Sequence, residues 1–156
     1  MARVRLHDAD DADWRVIADW TPADIKSQIS ELELASSIRE HERGASGTLQ
    51  LLEVKFLPHT LVDVHAHDEE EIMYVVDGVM LVGERILKPG SSIYIHGSTL
   101  YSFRAGPDGL RVLNFRPRNN STYVSAAAFA DRRSRARTTV THSNFPREIE
   151  EKPDAS

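Results

Sequence analysis

The chain contains no cysteine. That excludes disulfides, thiolate metal sites and cysteine nucleophiles, so any metal would have to be held by His, Asp, Glu or Tyr. It also lacks any run of the roughly 20 apolar residues needed to span a bilayer. The N-terminus reads Met1-Ala2-Arg3-Val4-Arg5-Leu6-His7 and then turns acidic, with no apolar signal core. No targeting segment is therefore expected, and a cysteine-free chain fits a reducing, cytoplasmic setting. Charge of one sign is also scarce. The formal net charge of −5 favours solubility and argues against general nucleic-acid binding. There is no internal repeat.

What is present suits one globular domain. The chain has 156 residues, 40% of them hydrophobic, enough for a core of useful size. The lead-in to Asp13 is dense in Asp. Residues 14–17 fit a short edge strand. Thr21-Pro22 fits a helix start, with Thr21 as cap and Pro22 at the first helical position. In 29–40, Leu32 and Leu34 alternate with Glu31 and Glu33, which predicts a strand. Gly44-Ala45-Ser46-Gly47 marks a loop. Strands then follow over 48–56, 61–66, 72–76, 79–82, 93–95, 100–103 and 110–115. Turns are expected at Asp77-Gly78, Pro89-Gly90 and Gly106-Pro107-Asp108-Gly109. The 72–76 segment is apolar on both faces, as a fully buried strand would be. Many short strands with little helix between them indicate an all-β sandwich or barrel. Residues 124–130 fit a short helix. Arg132, Arg133, Arg135 and Arg137 form a basic run better suited to a solvated face or a subunit contact than to DNA. The tail from about Pro146 is charged and is expected to be mobile or docked on a partner subunit.

The chemistry concentrates in one stretch. His65 and His67 lie two apart, and on a strand such residues face the same way. Asp68, Glu69 and Glu70 make a polar bend, after which Glu71 opens the next strand. A hairpin of that length can return Glu71 to the two imidazoles. Two His and one carboxylate leave open positions on a metal; the set suits Fe(II) best, with Zn, Mn, Ni or Co as alternatives. Met73 shares the face of Glu71 as pocket wall or core. Arg104, Arg111 and Arg116 fit solvated sheet faces, although any one of them could anchor a substrate carboxylate.

The spacing His65-x-His67, three residues, Glu71, six residues, Gly78 resembles the first motif of the cupin superfamily. Gly83, five residues and Pro89-Gly90 resemble the opening of the second. The resemblance covers roughly 49–117. His59 stands where the family usually has Gly. His96 and Tyr101 fall where the second motif usually has Pro and a third metal-binding His, and Ala105 replaces its usual Asn. The resemblance implies a single-domain jelly-roll barrel, or double-stranded β-helix, with short extensions: an N-terminal extension with edge strands over 1–47, a barrel core over 48–117, and a C-terminal strand, short helix and tail over 118–156. It implies a divalent metal on His65, His67 and Glu71. Tyr101 is left three roles: metal ligand, proton donor or acceptor, or a ring that fills the barrel and hydrogen-bonds a neighbour. His96 is a second candidate for proton transfer.

Fold does not fix function. The leading expectation is a metal-dependent enzyme acting on a small organic molecule, as a dioxygenase or as a lyase or isomerase. The alternatives are a non-enzymatic ligand-binding module and a metal-free isomerase or cyclase in the same pocket. A homodimer is expected, because small cupins commonly pair and strand edges need cover. Light scattering during size-exclusion chromatography is expected to give twice the chain mass; a species of 17.5 kDa would overturn the dimer.

Overall fold

A computed structural model describes residues 4–11, 13–119 and 122–141. Nine strands form one curled antiparallel sheet. A short strand β1 (Arg15–Val16) leads into three brief helices, α1 (Ile17–Trp20), α2 (Ala23–Lys26) and α3 (Glu31–Ala35). The sheet continues with β2 (Ser37–Arg43), β3 (Gln50–Phe56), β4 (Leu61–Ala66), β5 (Glu71–Val82), β6 (Arg85–Leu87), β7 (Ser92–Ile95), β8 (Tyr101–Arg116) and β9 (Val124–Ser125). Helix α4 (Ala126–Thr141) closes the described chain. The charged tail from Pro146, expected to be mobile or docked, lies outside the described residues. Among those described, no helix is long and apolar enough to cross a membrane.

Strand β8 is the hub. Its first part pairs with β4, its last part pairs with β3, and β5 runs along much of its length. The sheet curls around a core in which Val75, Met80, Ala105 and Val112 are fully buried, and Val62, Met73, Phe103 and Leu110 pack with them. Period-two alternation supplies this inner face. Strand β5 shows it plainly, with Met73 and Val75 inward and Ile72 and Tyr74 more than 40% exposed. The expectation of a strand buried on both faces is corrected accordingly.

Four further expectations are corrected. Residues 31–35 are helical, because the Ser30 hydroxyl caps the Glu33 amide at 3.3 Å and itself donates to the Leu61 carbonyl at 2.6 Å. A local cap and a tertiary anchor outweigh a four-residue alternation. Asp77-Gly78 is not a turn, and 106–109 is not a hairpin loop. Both lie inside long strands whose register slips between Val75 and Asp77 and between Gly78 and Met80. There the glycines permit close backbone approach. Gly78 has φ +71° and Gly109 φ +85°, and a Cβ on Gly78 would lie 2.2 Å from the Gly109 carbonyl oxygen. Helix α2 also starts one residue later than expected, with Pro22 preceding its first turn.

His59, in the family's usual glycine position, has φ +61°. That conformation favours glycine.

Gly78→Ala is expected to lower unfolding stability by roughly 2 kcal/mol or more, from backbone strain plus a steric clash. Gly83 has φ +55° but open space around it. Gly83→Ala is therefore expected to cost only about 1 kcal/mol. Urea melts of both variants decide whether the close approach at Gly78 matters.

Candidate functional site

Strand β4 carries His65, and His67 follows just past its end; both line an apolar cavity of about 250 Å³. Val54, Val62, Met73, Phe103 and Val112 form its sheet walls. Trp20, Pro22, Ile25 and Ile29, from the N-terminal helices and their connections, cover another side. Within the N-terminal extension, residues 17–33 therefore contribute to the pocket, and 15–16 form an edge of the sheet.

The two imidazoles are fixed from behind. His65 Nδ1 donates to the Asp63 carbonyl at 2.7 Å, and His67 Nδ1 donates to the Thr122 carbonyl. A carbonyl only accepts, so each Nδ1 carries the hydrogen and each neutral ring presents a bare Nε2. The two Nε2 atoms face each other at 3.2 Å. Tyr123 stacks on His65 with ring centroids 5.0 Å apart, and Tyr101 lies against its ring at 4.5 Å. Burial lowers the pKa of both histidines, that of His67 to about 4, with the Arg116 charge adding to the effect there. Both rings are neutral near pH 7.

Glu71 behaves differently from the expectation. It is buried behind the cavity wall and does not line the cavity. Tyr101 donates its hydroxyl to Oε1. Asn114 Nδ2 reaches Oε2 at 2.8 Å, and Arg116 reaches the same oxygen with Nε at 3.1 Å and Nη2 at 3.0 Å. Burial alone would raise the Glu71 pKa. The Arg116 charge and the donated hydrogen bonds reverse this and hold it below the usual carboxylate range. Tyr101 is pushed well above the phenol range, by burial first and the Glu71 charge second, so it stays protonated.

The metal expectation meets the structure unevenly. Two imidazole nitrogens about 2.1 Å from one ion would lie close to the separation seen here. The carboxylate, however, is committed to Arg116, and Arg116 Nη2 also lies 3.5 Å from His67 Nε2. A guanidinium thus stands between the carboxylate and the imidazole that were expected to share an ion. Among the described residues, no set of three His, Asp or Glu side chains is arranged to hold a metal. His65, His67 and Glu71 share one end of the barrel without forming a ligand set.

Tyr101 is in the site, as hydrogen-bond donor to Glu71. His96 is not: it is exposed beyond the end of β7, with Nδ1 on the Gly97 carbonyl at 2.9 Å, and does not line the cavity. The acidic bend is solvated, with Glu69 paired to Arg118 and Asp68 to Arg132. Of the three arginines taken for solvated faces, Arg104 is exposed and Arg116 is only 13% exposed in its side chain. The sequence carried a signal for Arg116: Val112, Asn114 and Arg116 share one period-two phase on β8, so polar groups at the end of an apolar row point inward.

Glu33 was also missed, because its segment was expected to be a strand. It lines the cavity from α3. Burial, with the nearby Asp63 charge, raises its pKa to about 7. An acid with a raised folded-state pKa contributes stability that is present below its unfolded value and lost as pH rises through the folded value. Glu33→Gln is therefore expected to leave thermal stability nearly unchanged at pH 5 and to raise it by about 1–3 kcal/mol at pH 8. Equal effects at both pH values would contradict the burial argument.

No family model matches the sequence, and no curated protein does. Solved structures do match. A polyketide cyclase, RemF from Streptomyces resistomycificus, is 18% identical with TM-score 0.58 over 81% of this chain and 85% of that one. KdgF from Halomonas sp. is 24% identical with TM-score 0.54 over 74% and 94%. An RmlC-like cupin from Ralstonia eutropha is 15% identical with TM-score 0.57 over 96% and 95%. Identity at this level establishes architecture: the chain has the jelly-roll fold of the RmlC-like cupins.

Proposed function

We propose that the protein is an acid–base enzyme acting on a small, largely apolar carbonyl compound, as an isomerase or cyclase does. The observation that carries this reading is the pair of bare Nε2 atoms 3.2 Å apart at the polar end of an apolar cavity. Two acceptors held face to face need a proton donor between them. A substrate that offers an acidic C–H or O–H meets that need.

In this reading one imidazole takes a proton from the carbon next to a carbonyl, and the pair shares it. The substrate becomes an enolate, with its charge on oxygen. The positive charge of Arg116, beside His67, favours that oxyanion. Return of the proton to a different atom completes an isomerisation; in a ring closure the enolate carbon attacks a second carbonyl of the same molecule, whose π pair moves to oxygen, and that alkoxide takes the proton back from the imidazole pair. Tyr101 stays protonated and positions Glu71, which in turn positions Arg116. No step requires His96. The polyketide cyclase named above carries its activity on this architecture, so aromatic ketones and 1,3-diketones are the first compounds to try.

Exchange of the substrate α-hydrogen into D2O, followed by NMR, tests the reading. Exchange is expected in the wild type with a chelator present. His65→Ala and His67→Ala are each expected to slow it by about 10²–10⁴-fold, the usual contribution of a general base. Activity lost to chelation and restored by a divalent metal would overturn the metal-free step. Ligands that bind the cavity without exchange would favour a binding module.

A further inference from the structure

We propose that Arg116 is the resident cation of this site, standing in for a divalent metal, and that its removal turns His65, His67 and Glu71 into a metal site. The inference needs no turnover and stands apart from the proposed reaction.

Four observations converge. Both imidazoles are already oriented through Nδ1 by carbonyls, the arrangement that metal-binding histidines require from their surroundings. Their Nε2 atoms are close enough together to share one ion. Glu71 is held ionised and lies within reach of the same corner, but its Oε2 is engaged by both Nε and Nη2 of Arg116. Arg116 Nη2 also approaches His67. A fixed positive charge at that point opposes a second cation in two ways: it repels the ion directly, and it takes up the carboxylate that would bind the ion.

The fold makes this placement a local matter. Arg116 ends β8, where the neighbouring register pairs Phe115 with Ile72, so its side chain enters beside Glu71. Asn114, two residues earlier on the same face, bonds both Glu71 and Arg116 and fixes their relative positions. Without the guanidinium, Glu71 keeps only the neutral donors of Tyr101 and Asn114, and one of its oxygens becomes available. Two neutral imidazoles and the Glu71 carboxylate, which an incoming cation keeps ionised in place of Arg116, are then a donor set for first-row divalent ions.

Titration with Co²⁺, read by its visible absorption and by calorimetry, tests this with no substrate. Wild type is expected to bind weakly. Arg116→Ala and Arg116→Gln are each expected to bind one equivalent at least tenfold more tightly. Arg116→Lys, which keeps a positive charge, should remain close to wild type. Adding Glu71→Gln to Arg116→Ala should abolish the gain, which separates a true ligand from looser packing. The proposal fails if wild type takes one equivalent tightly and loses it in His65→Ala, a result that stands even if the Arg116 variants do not fold. It fails equally if folded Arg116→Ala gains nothing.

Discussion

One buried carboxylate organises the functional end of the molecule. Glu71 is 2% exposed, and an ionised carboxylate in that position is unstable unless opposite charge and donated hydrogen bonds compensate for lost water. Tyr101, Asn114 and Arg116 supply them from the two ends of one strand. The carboxylate therefore fixes three other side chains in place. It keeps Tyr101 protonated, holds Arg116 against the cavity wall and sets the field felt by His67. A residue that sequence spacing marks as a ligand becomes an anchor for the rest of the site.

The histidines answer to a different constraint. Backbone carbonyls at Asp63 and Thr122 settle which nitrogen carries hydrogen, and burial keeps both rings neutral. Their bare nitrogens then face each other across a gap suited to a proton, a hydroxyl or an ion. Which of these the gap accepts depends on the charge nearby, and the nearest fixed positive charge is Arg116. Glu33, also on the cavity lining, adds an acid whose pKa burial raises to about 7.

Much of this was legible in the residues. The His65-x-His67 spacing, Glu71 and Gly78 marked the fold through their resemblance to a cupin motif, and period-two geometry, which is local, placed the two histidines on one face. The placement of Met73 on the wall followed from the same alternation. What failed had non-local causes. Asp77-Gly78 and 106–109 carry strong turn chemistry, yet both are absorbed into long strands where glycine permits close contact between β5 and β8. The helix at 31–35 depends on Ser30 reaching the Leu61 carbonyl, a partner 31 residues away. Missing that helix concealed Glu33. His96 sat at a motif position but lies beyond the end of its strand, outside the barrel.

The sequence by itself determined an all-β chain, a jelly-roll core and a polar cluster around His65, His67, Glu71 and Tyr101. The first follows from residue type and strand period; the jelly roll and the place of Tyr101 follow from the resemblance to the cupin motifs. Only the tertiary structure decided what those residues do to one another. Strand pairing brings Arg116 from the far end of β8 to Glu71, 45 residues away along the chain. A charge can cancel, replace or reposition a ligand only at contact distance, and contact across a sheet is set by register, which spacing along the chain does not encode.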